Sequence, residues 1–207
     1  MNLPSPLPAG YACAFSGVPD AIDWSAVQRR FPERVLQELN AVRRLEHAAV
    51  DAALDRLGVG EPVTHDRQGR PLLPHSALSI SHAQDARGVT WAGVAIGPAP
   101  VGLDLETPRP QLARVAPRIF SEAERALVGT GPDADWRRCA VWNVKEAAWK
   151  ALGPDLDYLG GIEVLELLPM QDYLRGGQIP VRILQTTRSF YIAQLAGEFG
   201  TALGPLP

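Results

Sequence analysis

The first long hydrophobic repeat of the chain follows Pro32. Apolar residues recur there at roughly helical spacing until Gly58, where the pattern stops. The spacing therefore predicts helical structure from Pro32 to Gly58, as one long helix or as two. Residues 61–76 are rich in turn-forming residues, so we expect turns there.

Two apolar stretches after these turns are typical of strands. Residues 77–81 and 89–96 have this pattern, and the second stretch is rich in valine, threonine and tryptophan. Residues 97–100, with the sequence Gly-Pro-Ala-Pro, then interrupt the chain. We therefore expect an N-terminal lobe over residues 1–98 and a C-terminal lobe over residues 99–207.

The strand that follows this break alternates between apolar and acidic residues. Val101, Leu103 and Leu105 would point to one side of it, and Asp104 and Glu106 to the other. The alternation predicts a strand with one buried face and one charged face.

The second half of the chain predicts two further helices and three strands. A helix over residues 122–128 has a capping-box signature at Ser121 and Glu124. A longer helix should begin near residues 133–135 and end at Gly153, which is a strong stop signal. Strands are expected at residues 161–168, 179–184 and 190–196. This arrangement of helices and strands indicates the α+β class.

Composition and charge limit the possible partners. The chain has 207 residues, 46% of them hydrophobic, which is enough to bury a substantial core. A formal charge of −3 gives no overall electrostatic basis for binding nucleic acid. Cys13 and Cys139 lack the spacing of a zinc or redox motif, which favours free thiols in a reducing compartment.

The N-terminal residues lack the charged and apolar regions of a signal peptide. No apolar run approaches the roughly 18 residues that a membrane span requires. We therefore expect a cytoplasmic protein that binds neither membrane nor nucleic acid.

Candidate chemistry lies on the predicted helix around Trp142. Trp142, Glu146 and Lys150 are four residues apart, so they share one face of the helix. Together with Asp104 and Glu106 they provide hard oxygen ligands from two elements, beside an ammonium group. Such a set suits a Mg²⁺ ion that bridges the oxygens of a phosphorylated substrate.

Each of these elements alone also has an ordinary interpretation. An Asp-x-Glu sequence on a strand is usually a solvated polar face, and a Glu–Lys pair on a helix is usually a surface ion pair. The order of the motifs along the chain favours a functional site more strongly than any single motif does.

The ordered motifs resemble those of the Sfp-type 4′-phosphopantetheinyl transferases, over about residues 69–153. In chain order they are Gly69-Arg70-Pro71, Ser79-Ile80-Ser81-His82, Val101-Gly102-Leu103-Asp104-Leu105-Glu106, Phe120-Ser121, and Trp142 through Lys150. That family folds as a pseudo-dimer of two similar α+β lobes with the active site between them. The resemblance implies that the lobe 1–98 holds the adenosine and 3′-phosphate of coenzyme A, and the lobe 99–207 the metal and catalytic residues.

The resemblance also implies an activity. Such an enzyme transfers the 4′-phosphopantetheine arm of coenzyme A to a serine of an apo acyl or peptidyl carrier protein and releases adenosine 3′,5′-bisphosphate. Its cofactor is Mg²⁺, for which Mn²⁺ could substitute. The chain is about long enough for both lobes, so we expect a monomer rather than the trimer of the short, single-lobe synthases.

The family's functional residues can be carried over position by position. Its metal ligands correspond to Asp104, Glu106 and Glu146. Glu146, or a water that it holds, is expected to accept the serine proton, and Lys150 to contact the pyrophosphate.

Contacts with coenzyme A follow from the same resemblance. They are assigned to Arg70, Ser81, His82 and Lys150. The family also supplies a basic residue from the preceding helix, but residues 46–55 contain neither lysine nor arginine. Arg43 and Arg44 could substitute, and a basic pair there is equally consistent with a solvated face.

A basic stretch after the acidic strand is a candidate surface for the carrier protein. Arg109, Arg114 and Arg118 lie between residues 107 and 120, where no acidic residue occurs. A carrier presents its serine beside an acidic helix, so positive charge near the metal site would favour docking. A solvated loop and helix flank would have the same composition.

Two other functions are compatible with parts of this pattern. A metal-dependent nuclease also uses carboxylates and a lysine, although usually two residues apart on a strand rather than at helical spacing. A catalytically inactive carrier-binding module would not need Asp104, Glu106, Glu146 and Lys150 together. A turnover assay separates that module from the enzyme.

Overall fold

The computed structural model describes residues 7–196 and 198–207. It confirms the α+β class, with helices packed on antiparallel sheets. Before residue 98 the elements are β1 (Ala12–Gly17), α1 (Trp24–Arg30), a 3₁₀ turn (Leu36–Glu38), α2 (Ala41–Arg56), β2 (Thr64–His65), β3 (Pro71–Leu72), β4 (Ala77–Gln84) and β5 (Thr90–Gly97). After it they are β6 (Gly102–Glu106), α3 (Pro110–Ile119), α4 (Glu122–Val128), α5 (Ala134–Leu152), β7 (Ile162–Val164), α6 (Met170–Tyr173), β8 (Gly177–Ile183), β9 (Thr186–Leu195) and β10 (Phe199–Leu206).

Two antiparallel sheets form the framework of the molecule. One has the strand order β1-β5-β4, and the other has the order β6-β10-β9-β8-β7. Helix α2 packs on the first sheet and α5 on the second, and a third apolar cluster with Phe15, Leu103 and Phe199 fills the space between the sheets. The division into similar lobes over residues 1–98 and 99–207 stays a prediction.

The expected helix from Pro32 is wrong in its first part. Residues 32–33 form a turn, and α2 begins only at Ala41, where the side chain of Asn40 accepts a hydrogen bond from the backbone N of Arg43 at 2.9 Å. Val35, which contributed to the periodic pattern, is 53% exposed. The N-cap at Asn40 therefore sets the start of the helix.

Helices α4 and α5 follow the sequence signals closely. Ser121 and Glu124 form the capping box of α4, and α5 ends at Gly153, whose φ of 88° favours glycine. Of the strand expected over residues 161–168, only Ile162–Val164 (β7) form a strand. In the described residues, no helix is long and apolar enough to cross a membrane.

Seven elements of the described residues were not anticipated: the strands β1, β2, β3 and β10 and the helices α1, α3 and α6. Strand β10 is rich in glycine and includes a proline, which are poor strand formers. It is nevertheless paired on both sides, with β6 and β9. Its place inside the sheet, rather than its local propensity, makes it a strand.

Candidate active site

Strands β4 and β6 belong to different sheets and are joined by serine side chains. Oγ of Ser79 accepts a hydrogen bond from the backbone N of Leu103 at 2.9 Å. Oγ of Ser81 accepts one from the backbone N of Leu105 at 3.1 Å. Residues two apart on a strand face the same side, so both serines reach β6. We call the region where β4, β6 and α5 meet the junction.

Helix α5 lies against β6 at very short range. A Cβ atom built on Gly102 would lie 1.7 Å from the carbonyl oxygen of Ala147. A side chain at position 102 would therefore push the helix away from the strand. Because the contact is so close, Glu146 and Lys150 reach the acidic residues of β6.

Lys150 makes hydrogen bonds to both strands of the junction. Its Nζ donates hydrogen bonds to Oδ1 of Asp104 at 2.7 Å, to Oγ of Ser81 at 3.1 Å and to the carbonyl oxygen of Leu103 at 3.1 Å. The hydroxyl of Ser81 donates to the same oxygen of Asp104 at 3.0 Å. No ion pair joins Lys150 to Glu146 in the part of the chain that the structure describes.

The structure changes the interpretation of two predicted residues. Asp104 does not lie on a solvated face, because it is buried under Ser81 and Lys150. The hydroxyl of Ser81, predicted to contact coenzyme A, is itself buried and bonded within the protein. Its observed contacts orient Asp104 and Lys150.

Glu106 lies at the end of β6 and is held by residues that follow it. Its Oε1 accepts a hydrogen bond from the backbone N of Thr107 at 2.9 Å, and its Oε2 is ion-paired with Arg109. Burial raises the pKa of Glu106, and the nearby charge of Asp104 raises it further. Arg109, which the sequence grouped with the carrier surface, thus contacts the acidic site.

Glu146 faces the same charges from helix α5. Its Oε1 accepts a hydrogen bond from the hydroxyl of Tyr158 at 2.9 Å. Burial raises the pKa of Glu146, and the charge of Asp104 adds to this effect. Asp104 therefore acts electrostatically on both glutamates.

The three carboxylates suit a hard divalent cation. In residues 7–196 and 198–207, no group of three or more His, Cys, Asp or Glu side chains is already arranged as a metal cluster. The donor set nevertheless consists of oxygens, which Mg²⁺ and Mn²⁺ prefer. A cation would also relieve the repulsion from Asp104, which adds to the effect of burial on the pKa values of both glutamates. The residues Asp104, Glu106 and Glu146 therefore fit such an ion.

A cavity of about 260 Å³ lies on the first sheet beside α2. We call it the basic cleft, because its charged lining is mostly cationic. Its polar lining residues are Arg34, Arg43, Glu46, His47, His65 and His82. Two of the predicted coenzyme A contacts, Arg43 and His82, thus meet here.

Most cations of the basic cleft are already paired with acids. Glu46 accepts a hydrogen bond from Arg43 at 2.9 Å and lies 3.3 Å from Nδ1 of His82. His65 lies 3.3 Å from a carboxylate oxygen of Glu33. Arg34 has no ion pair among the described residues, so its guanidinium is free to receive an anion.

Burial also affects the histidines of the cleft. It lowers the pKa of His82, and the charge of Glu46 opposes this shift only in part. Burial likewise lowers the pKa of His47, and Arg34 contributes to the decrease. Both rings are therefore biased towards the neutral form until an anion binds.

The other predicted contacts do not join this cleft. Arg70 is ion-paired with Asp66 at 2.8 Å and lines a larger cavity of about 640 Å³, which also contains Trp149 and Lys150. The guanidinium of Arg44 stacks on the ring of Trp24, 4.6 Å from its centroid. The structure thus separates Arg70 from His82 and removes Arg44 from the site.

Three residues of the site escaped the sequence patterns. His47 lies one helical turn after Arg43, so helical spacing could have suggested it. Arg34 and Tyr158 lie in irregular segments, and no local pattern marks them. Their positions depend on how those segments cross the sheets.

Residues 100–194 match the family model described as the 4′-phosphopantetheinyl transferase superfamily. The matched stretch is a little under half of the chain and contains Asp104, Glu106, Glu146 and Lys150. It supports a phosphopantetheinyl transferase in general, and the residues of the basic cleft precede it. A sequence search of curated proteins found no match.

Proposed function

We propose that this protein is an Sfp-type transferase, which moves the 4′-phosphopantetheine arm of coenzyme A onto a serine of an apo acyl or peptidyl carrier protein. One observation carries the proposal. Asp104, Glu106, Glu146 and Lys150 converge at the junction, beside two cavities that could hold the remainder of coenzyme A. We also propose that the enzyme is a cytoplasmic monomer.

The reaction forms one phosphoester bond and breaks one phosphoanhydride bond. The serine oxygen of the carrier attacks the phosphorus that bears the pantetheine arm, and adenosine 3′,5′-bisphosphate leaves. A Mg²⁺ or Mn²⁺ ion held by Asp104, Glu106 and Glu146 would supply positive charge for the pyrophosphate oxygens. Lys150 would keep its bond with Asp104 and exchange its hydrogen bonds to Ser81 and Leu103 for bonds to those oxygens, because the three N–H groups of its ammonium are already used.

Glu146 has the properties of the proton acceptor. Its raised pKa makes it a stronger base than an exposed glutamate. It takes the proton of the serine hydroxyl directly or through a water. Its bond with Tyr158 uses only Oε1, which leaves Oε2 for this role.

The two cavities divide coenzyme A between them. The basic cleft receives the 3′-phosphate, which Arg34, Arg43 and His82 bind. The larger cavity, lined mainly by apolar residues, receives an uncharged part of the molecule. This division assigns the adenosine and 3′-phosphate end to residues 1–98 and the chemistry to residues 99–207.

The carrier protein is expected to approach α3. Arg114 and Arg118 lie on this helix, which directly follows the acidic strand. With Arg109 bound to Glu106, these two arginines form the remaining basic surface.

Intact mass spectrometry of the carrier tests the proposal. The protein is incubated with coenzyme A, Mg²⁺ and an apo carrier, with acyl and peptidyl carriers in parallel. The carrier should gain the mass of one phosphopantetheine, and a carrier whose serine is replaced by alanine should not. Unchanged mass of every serine-containing carrier would contradict an active transferase and favour the inactive carrier-binding module.

A further inference from the structure

The loop after α5 has a closely defined shape. It begins at Gly153, whose φ is 88°. The side chain of Asp157 accepts hydrogen bonds from the backbone N of Leu159 at 3.0 Å and of Gly160 at 3.1 Å. The backbone N of Gly161 donates to the carbonyl oxygen of Asp157 at 2.8 Å. These bonds hold the loop around Asp157 in one conformation.

Tyr158 lies at the centre of this loop and points to α5. Its hydroxyl donates to Oε1 of Glu146 at 2.9 Å, and its ring lies 6.0 Å from Nζ of Lys145. Lys145 is fully buried, and its Nζ is fixed by both carboxylate oxygens of Glu124 at 3.2 Å and by the carbonyl oxygen of Ile162 at 2.6 Å. The tyrosine therefore lies in a hydrogen-bonded loop, next to a buried ammonium group.

The carboxylate of Glu146 has no second hydrogen bond of this kind. Within the described residues, the bond from Tyr158 is the one hydrogen bond that its side chain makes. A half-buried carboxylate held at one oxygen keeps its plane fixed and leaves the other oxygen open. Rotation of the carboxylate out of this orientation would break the bond, so the tyrosine hydroxyl opposes it.

We infer that Tyr158 is a positioning residue, which orients Glu146 so that Oε2 faces the metal and the serine proton. The inference rests on the proposed function. Hydrogen-bond partners behind a metal ligand commonly change metal affinity or activity by about 10- to 100-fold when they are removed. Tyr158 touches neither the metal nor the substrate in this scheme and acts through Glu146.

Tyr158→Phe tests the inference because it removes only the hydroxyl. We expect kcat to fall about tenfold, KM for coenzyme A to change less than about twofold, and the dissociation constant for Mn²⁺ to rise about tenfold. Mn²⁺ binding is measured by electron paramagnetic resonance without substrate. Tyr173→Phe is the matched control, since the hydroxyl of Tyr173 is buried and has no hydrogen-bond partner among the residues that the structure describes.

A double-mutant cycle separates positioning from a general structural role. The four proteins are wild type, Tyr158→Phe, Glu146→Gln and the double variant, and the Mn²⁺ dissociation constant is measured for each. If the tyrosine acts through the carboxylate, Tyr158→Phe should have little further effect in the Glu146→Gln background. Any loss of thermal stability in Tyr158→Phe should be similar in both backgrounds.

Two results would overturn the inference. One is a Tyr158→Phe protein with the kcat and Mn²⁺ affinity of wild type. The other is an equal loss of Mn²⁺ affinity in both backgrounds of the cycle. Failure of the proposed function is distinguishable from either, because it would appear as a wild-type protein that modifies no carrier, while the Mn²⁺ measurements would still report on Tyr158.

Discussion

The junction and the basic cleft differ in their balance of acidic and basic side chains. At the junction, burial raises the pKa of Glu106 and Glu146 and the charge of Asp104 raises both further, while Lys150 and Arg109 supply the compensating positive charge. In the basic cleft, Glu46 alone pairs with Arg43 and His82. The junction holds more carboxylates than cations, whereas most cations of the basic cleft are paired with acids.

This difference separates two kinds of binding. A cation that binds at the junction is stabilised there, because it reduces the electrostatic repulsion among the three carboxylates. In the basic cleft an anion must compete with Glu46 for Arg43 and His82, so its net gain is smaller. Arg34 is the exception, since it has no acid partner in the described residues. Substitutions should therefore cost most at the junction and least in the cleft.

The largest effect is expected for Asp104→Ala. It removes the carboxylate that interacts with both glutamates, so phosphopantetheine transfer should fall on the order of a thousandfold. Carrier mass measured against time at saturating Mg²⁺ gives the rate. Wild-type activity of this variant after treatment with a chelator would exclude a metal role for the junction.

Lys150→Ala should lower turnover about a hundredfold, as loss of one donor to a developing charge does. Lys150 is not a surface lysine, because it is half-buried against Asp104, so its removal should also cost about 1–2 kcal/mol of stability after allowance for partial exposure. Adding Asp104→Asn should restore the thermal midpoint but not the turnover. If the second substitution destabilises the protein further, the pairing of these two residues does not account for the loss.

Arg34→Ala should raise KM for coenzyme A about tenfold, because it removes the unpaired guanidinium that we propose binds the 3′-phosphate. KM for dephospho-coenzyme A should stay near that of wild type. Arg70→Ala is the matched comparison, since Arg70 is bound to Asp66 on the larger cavity. If Arg70→Ala loses more discrimination between coenzyme A and dephospho-coenzyme A than Arg34→Ala does, Arg70 binds the 3′-phosphate, as the motif suggested.

The smallest effect concerns the stability of the cleft at acid pH. The pKa of His47 is lower in the folded protein than its ordinary value of 6.5, so the unfolded chain binds a proton more readily. Stability should be fully present above pH 6.5 and fall as the pH decreases below it. His82 contributes in the same direction.

Thermal unfolding at pH 7 and pH 5 checks this expectation. His47→Gln should reduce the loss between the two pH values by on the order of 1–2 °C. His75→Gln, a substitution of an exposed histidine outside the cleft, is the control. An unchanged pH dependence in His47→Gln would show that other groups account for the loss.

The same contrast explains what the sequence could predict. The junction uses regular spacing, two residues apart on β6 and four apart on α5, so the pattern predicted which side chains share a face. It could not show that β4 covers Asp104, because that burial depends on the packing of two sheets. The pairing of Lys150 with Asp104 rather than Glu146 was not predicted for the same reason, since it also depends on how these elements pack.

The basic cleft was harder to predict because its residues come from separate segments. Arg34 lies in the irregular segment before α2, Arg43 and His47 on α2, and His82 on β4. The family motif suggested Arg70, but its side chain turns to Asp66 and the larger cavity. A motif predicts where a residue lies along the chain, but the orientation of its charged side chain depends on the acidic residues that lie near it in the fold.

Gly102 limits how the enzyme could diverge or be redesigned. The spacing of β6 and α5 depends on the absence of an atom at this position, since a methyl group there would overlap the carbonyl oxygen of Ala147. The exposed residues of α3, such as Arg114 and Arg118, border solvent and can vary as new partners are selected. A mutational library aimed at altered coenzymes or carriers should therefore recover glycine at position 102 in every active clone, whatever the selected substrate.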